Sequence, residues 1–252
     1  LERNVKAGEV LEAAGSLPFA TLEERLGGDG GLIVVAPHPD DESLACGGLI
    51  AEARAQGRPV RIVIVSDGTG SHPASKTHPR ARLRELRETE ARNAVKELGL
   101  DPVDDIVFLR LPDRFVPSDG PRAEKAIAAI IECVEQVGAR ALFVSWRDDP
   151  HCDHQASYRI ARAVQRQLPS LRLYEYTVWG SALPAASPVE PVNDGFRIRI
   201  EQRLARKRRA IAAHRSQTTD LIKDDRNGFR LTEADLARFD LPYEAFFESA
   251  DG

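Results

Sequence analysis

The chain has 252 residues, 42% of them hydrophobic, with 35 Lys and Arg against 39 Asp and Glu; this suits one large domain with a sizeable core and gives no global case for nucleic acid or a membrane surface as partner. Three scattered cysteines, Cys46, Cys133 and Cys152, do not form a disulfide framework and point to a reducing, cytoplasmic setting. No apolar run approaches the ~18 residues of a membrane span, and the opening LERNVKAGEVLEAAG lacks the apolar centre of a signal peptide.

In chain order, GLIVVAP (31–37) reads as a buried strand ending in a break. A helix follows over 43–57, then a second strand, VRIVIVSDG (60–68). A long helical stretch covers 79–99, and DIVFLRL (105–111) is a third strand. A helix over 122–137 has Pro121 near its start. RALFVSW (140–146) is the fourth strand, 153–168 the fourth helix and LRLYEYTVW (171–179) the fifth strand. The Pro- and Ala-rich stretch 181–194 reads as a surface loop, FRIRI as an extra strand, 200–214 as a helix and 232–239 as a short helix. This alternation predicts an α/β fold with a mostly parallel sheet and right-handed crossovers.

APHPDDESLACGG (36–48) lies at the carboxyl end of the first strand, and DDPHCDH (148–154) follows the fourth. Ligands of open α/β sheets bind beyond the carboxyl ends of the strands, where the strand order reverses. There the two clusters could face each other. His38, Asp41 and His154 would supply two nitrogens and an oxygen to a metal, with a position left for water. Asp40 is then free as a general base, and His151 as a proton donor or oxyanion stabiliser. Asp149 or Asp153 could orient a ligating histidine. Two histidines and a carboxylate suit zinc and also iron(II).

These segments resemble the PIG-L/LmbE-like zinc-dependent N-deacetylases. APHPDDESLACGG resembles their AHPDDE signature and DDPHCDH their HPDH signature, with Cys152 where proline is usual. SDGTG, RETEARNAVKELG (87–99) and KRRAIAAHRSQ (207–217) resemble further segments in the right order. The resemblance implies a Rossmann-like three-layer fold and one zinc per chain held by His38, Asp41 and His154. Asp40 would be the base and His151 the oxyanion-stabilising or acid group. The implied substrate is a small N-acetylated amino sugar or its conjugate. Residues 1–30 would be an N-terminal extension to a single deacetylase domain over 31–252. An amidase acting on a non-sugar or thiol-conjugate amide, and a member that binds metal and sugar without turnover, remain alternatives. A nucleotide-binding protein without hydrolysis is disfavoured, because no G-x-G-x-x-G follows the first strand.

Helical periodicity adds candidates for substrate binding. Arg87 and Glu90 fall inside the apolar stripe of their helix, where charges need partners. They would pair with each other, or Arg87 would reach a substrate hydroxyl or phosphate. Lys207 and His214 share the apolar stripe of their own helix, which suggests a wall of the site; the competing reading of Lys207 is a side chain that snorkels to the surface. Trp179, at the end of the fifth strand, is placed to stack on a sugar face. His72 and His78 read as solvent-exposed loop residues. Nothing in the sequence sets the oligomeric state.

Overall fold

The computed structural model describes residues 5–192 and 194–249. A short strand β1 (Val5–Lys6), a helix α1 (Ala7–Ala14) and a helix α2 (Leu22–Leu26) precede the first long strand. The alternating part runs β2 (Gly31–Ala36), α3 (Asp41–Ala55), β3 (Val60–Ser66), α4 (Arg80–Glu97), β4 (Ile106–Leu111), α5 (Gly120–Val137), β5 (Ala139–Ser145), α6 (Cys152–Gln167) and β6 (Arg172–Tyr176). A short strand β7 (Pro188–Val189), a strand β8 (Gly195–Arg199), helices α7 (Leu204–Ala213), α8 (Arg215–Thr218) and α9 (Glu233–Phe239), and a strand β9 (Tyr243–Glu248) complete it.

The main sheet has the order β4-β3-β2-β5-β6-β9-β8. The first five strands pair in parallel. The order reverses between β2 and β5, so the ends of these two strands open one crevice. Successive residues of β2 face opposite sides, as the pleat requires. Leu32, Val34 and Ala36 join the core under α3, α4 and α7. Ile33 and Val35 join the core under α5 and α6. This gives the three-layer α/β architecture.

Helix α3 is buried on nearly every side, from Asp41 through Ala51. Gly48 makes this packing feasible, because a Cβ there would meet Ile200 at 2.5 Å. The close approach is therefore to the segment entering α7. The sheet also continues where no strand was expected. β9 pairs antiparallel with both β6 and β8 and separates them. The helix expected over 200–214 is shorter, α7 covering Leu204–Ala213, and a separate short helix, α8, follows His214.

Within the described residues, the segment before β2 folds back on the domain. Val5 pairs with Val189, and Ala7 and Val10 share a small core with Trp146, Val189 and Phe247. No described helix is long and apolar enough to cross a membrane. The three cysteines are free.

Candidate metal centre and its pocket

At the end of β2 the chain turns through His38-Pro39-Asp40 before entering α3. Asp40 sits at φ 146°, a conformation few side-chain-bearing residues adopt. Its neighbours over-determine it. The Asp40 N–H donates to Glu42 Oε2 at 2.9 Å, and Ser43 and Leu44 donate to its carbonyl. Asp41 then opens the helix and turns its carboxylate back, accepting from the His38 N–H at 2.9 Å. From the other side of the crevice, His151 caps α6 and His154 projects from its first turn.

Three atoms meet here. His38 Nδ1 lies 3.3 Å from Asp41 Oδ2, and His154 Nε2 lies 3.2 Å from the same oxygen. The two nitrogens are 3.3 Å apart. A tetrahedral ion with bonds of about 2.0–2.1 Å keeps its ligand atoms about 3.3 Å apart, so this triangle has the size of a zinc site. Carboxylates hold the far sides of both rings. His38 Nε2 faces Asp153 Oδ2 at 3.1 Å and Asp113 Oδ1 at 3.4 Å. His154 Nδ1 faces Asp149 Oδ2 at 3.4 Å but makes no well-directed hydrogen bond. With their outer nitrogens protonated towards these acids, both rings turn lone pairs inward at a carboxylate oxygen. Such an arrangement calls for positive charge at its centre.

The surrounding acids favour positive charge at these rings as well. Burial would depress His154, but Asp41 and Asp149 outweigh it and hold the ring up at about 9. Burial likewise opposes the charged form of His38, and Asp113, Asp153 and Asp41 overcome it, keeping the ring well above the ordinary range. His151 goes the other way: burial, then the neighbouring His38 and His154, push it down to about 4. Its Nδ1 accepts the Asp153 N–H at 3.2 Å, which leaves Nε2–H as the free donor of a neutral ring. Burial raises Asp40 to about 6 against the pull of Arg87, whose guanidinium lies 3.1 Å from Asp40 Oδ2.

A cavity of about 390 Å³ opens over these groups, within the size range of small-molecule sites. His38, Asp40, Asp41 and His151 line it, together with Arg87, Asp113, Arg114, Trp179 and Phe229. Trp179 and Phe229 meet edge to face at 5.5 Å. The Trp179 backbone N–H donates to Asp149 Oδ2 at 2.9 Å, tying this residue to the carboxylate beside His154.

His38, Asp40, Asp41, His151, His154, Arg87 and Trp179 are thus brought together. Arg87 and Glu90 do not pair with each other. Arg87 donates to Gly68 O and Pro39 O besides Asp40, while Glu90 accepts from Ser216 N and Oγ at 2.8 and 2.6 Å. Lys207 and His214 stand outside the cavity. Lys207 is buried against Glu244 at 2.8 Å, because α7 packs on α3 and β9 supplies the partner. It neither reaches the site nor snorkels. His214 is buried with Nε2 2.9 Å from Glu42 Oε1, one residue pair behind Asp40. His72 is buried rather than exposed, packed against Gly228, while His78 is partly buried.

Asp113, Arg114, Gln217 and Phe229 also line the cavity and were not anticipated. PDR at 112–114 follows the third long parallel strand of the alternation. The rule about carboxyl ends of strands could have flagged Asp113 and Arg114. Phe229, in a segment without regular structure, offered no such signal.

Comparison with known proteins fits this geometry. The profile of the PIG-L family, described as GlcNAc-PI de-N-acetylase, matches residues 33–165. The chain is 30% identical over 199 residues to a probable N-acetyl-alpha-D-glucosaminyl L-malate deacetylase 2 of Bacillus cereus, covering 77% of this chain and 86% of that one. It is 31% identical over 166 residues to the 2'-N-acetylparomamine deacetylase of Streptomyces fradiae, covering 58% of this chain and 56% of that one. Among solved structures, the N,N'-diacetylchitobiose deacetylase of Pyrococcus horikoshii superposes with a TM-score of 0.64 at 17% identity, covering 96% of this chain and 90% of that one; this likeness speaks to the fold.

Proposed function

The chain belongs to the PIG-L family, and on that premise we propose that it is a metal-dependent N-deacetylase, releasing acetate from an N-acetylated amino sugar or a conjugate of one. The observation that carries this reading is the triangle of His38 Nδ1, Asp41 Oδ2 and His154 Nε2 with the Asp40 carboxylate beside it. The activities for which the two sequence relatives are named, both deacetylations of amino-sugar compounds, point the same way.

His38, Asp41 and His154 would hold one zinc per chain, and the same donors also suit iron(II). The ion when bound supplies Lewis acidity, lowering the pKa of water and polarising an acetamide carbonyl. The chain's own groups do the rest. Asp40 accepts a proton from the attacking water at its carboxylate. Held at about 6, it is ionised at neutral pH yet basic enough to take that proton and pass it on. Arg87 fixes the carboxylate's orientation through Oδ2. His151, neutral, donates Nε2–H to the carbonyl oxygen as that oxygen gains charge. The proton that Asp40 takes from the water is one it can pass on to the leaving amine. Trp179, backed by Phe229, offers a flat apolar wall on which a sugar face can stack.

Asp40→Asn tests the assignment. Metal content stays at the wild-type level, because Asp40 is not one of the three converging ligands. Acetate release from N-acetylglucosamine conjugates falls ~10²–10⁴-fold, the usual contribution of a general base. Turnover near the wild-type rate would remove Asp40 from that role.

A further inference from the structure

Gln217 belongs to the short helix α8, lines the cavity and is fully buried. Its backbone is held on both sides. Its N–H donates to His214 O at 2.9 Å, and its carbonyl accepts the Leu231 N–H at 2.8 Å. The neighbouring Ser216 fixes which way the side-chain amide turns. Glu90, on α4, accepts from Ser216 N at 2.8 Å and from Ser216 Oγ at 2.6 Å. The Ser216 hydroxyl has then given its one proton to a carboxylate, and its oxygen can only accept. Gln217 Nε2 donates to that oxygen at 2.8 Å and lies 3.5 Å from Ser71 Oγ. An amide turned the other way would set oxygen against oxygen. Nε2 is therefore the end at Ser216, and Oε1 is the free one.

Gln217 Oε1 is buried and meets no donor among the described residues. Such a group gives up its bond to water and gains nothing in return, and few persist in folded proteins. An apolar side chain would fill this place without that cost. The Glu90–Ser216 pair nevertheless holds the amide in this one orientation, so the oxygen calls for a donor from outside the chain. The aromatic pair stands close by. The Phe229 N–H donates to Ser71 O at 2.7 Å, so the segment carrying Phe229 is strung between Ser71 and Gln217. A sugar presents C–H groups on its faces and hydroxyl donors along its edge. A ring stacked on Trp179 and Phe229 thus brings hydroxyls to the neighbourhood of Gln217.

Resting on the deacetylase reading above, we propose that Gln217 is a specificity-determining residue whose Oε1 accepts a hydrogen bond from one ring hydroxyl of the amino sugar. The chain Glu90–Ser216–Gln217 sets the carbonyl before the sugar arrives, so the bond forms without reordering a side chain. Glu90 and Ser216 are positioning residues in this account, acting through the amide. A sugar without that hydroxyl leaves Oε1 buried and unpaired in the complex, which is how a polar site rejects an analogue that lacks its partner group.

The test measures acetate release by the metal-loaded enzyme from a neutral N-acetylglucosaminide and from analogues in which each free hydroxyl in turn is replaced by hydrogen or by fluorine. Fluorine keeps the size of the group but cannot donate. At one position both replacements lower wild-type kcat/KM by ~10-fold or more, chiefly through KM. In Gln217→Met the loss at that position shrinks to within about twofold, and the losses at the other positions stay as they were. The ratio of two substrates on one preparation does not depend on the fraction folded. Should Gln217→Met yield no active protein, Ser216→Ala, which frees the amide to turn, shrinks the same ratio. A wild type indifferent to every replacement, a loss that fluorine restores, or a loss that survives both variants overturns this inference and leaves the deacetylase reading standing. No acetate from the parent glycoside overturns both.

Discussion

Glu42→Gln strikes at the point from which Asp40 hangs. Glu42 is fully buried. Its Oε2 accepts the Asp40 N–H at 2.9 Å, and its Oε1 accepts from Ser43 Oγ at 2.6 Å and meets His214 Nε2 at 2.9 Å. A glutamine offers only one oxygen. Whichever way the amide turns, its NH₂ confronts a donor, either the Asp40 N–H or the Ser43 and His214 side. A buried donor left unpaired costs about 1–3 kcal/mol. Breaking a buried charged pair from one side costs about 3–5 kcal/mol. These describe overlapping losses, so about 3 kcal/mol is expected. At roughly 2–4 °C per kcal/mol for a chain of this size, Tm falls by about 6–12 °C. The same anchor holds the Asp40 backbone at φ 146°. Once it is lost, the carboxylate drifts from its place beside Arg87, and kcat falls more than KM changes. Urea unfolding, thermal unfolding and initial rates at pH 7 on one preparation measure all three. A Tm within a degree or two of wild type together with an unchanged kcat would refute the reasoning.

Three further outcomes follow from the same geometry. Asp153→Asn weakens the hold on His38 Nε2 and on the loop at Arg114; metal affinity, measured by competition with a chelator, falls ~10–100-fold. His214 is driven down by burial but held above the ordinary histidine range by Glu42 and, further off, Asp40 and Glu90. Its contribution to stability is therefore complete below the ordinary histidine pKa and is lost as pH rises through the elevated one. The fall in unfolding free energy on that alkaline side should be shallower in His214→Gln than in wild type, and parallel curves would contradict it. Gly48→Ala drives a methyl group into Ile200; such overpacking costs about 1–3 kcal/mol by urea unfolding.

Much of this was legible in the residues, and the exceptions have physical causes. The β-α alternation and its switch point followed from β-branched runs separated by helical segments, and both acidic motifs fell at strand ends. Where regularity carried the information, the sequence sufficed. β9 was hidden because YEAFFE is short and its pairing is non-local: its partners, β6 and β8, lie far back in the chain. Lys207 was read as a site residue because a charge on an apolar stripe needs a reason. The reason was Glu244, which β9 brings in, so missing the strand meant missing the partner. His214 was rightly suspected of facing inward, but it meets Glu42 rather than the cavity. His72 was read as exposed because its loop is polar; its burial comes from the segment around Gly228, about 150 residues later, which no local pattern announces. Asp113 escaped for a related reason. One aspartate after a strand is unremarkable until His38 is seen 3.4 Å away.

The central claim is that His38, Asp41 and His154 hold a catalytic metal. Metal content and acetate release, measured on one purified preparation of the wild type and of His154→Ala, test it most directly. The account predicts about one zinc or iron per wild-type chain, acetate from at least one N-acetylglucosamine conjugate, and loss of both in the variant. A wild-type chain that binds no metal after reloading with zinc or iron, or a His154→Ala chain that keeps metal and turnover, would contradict it.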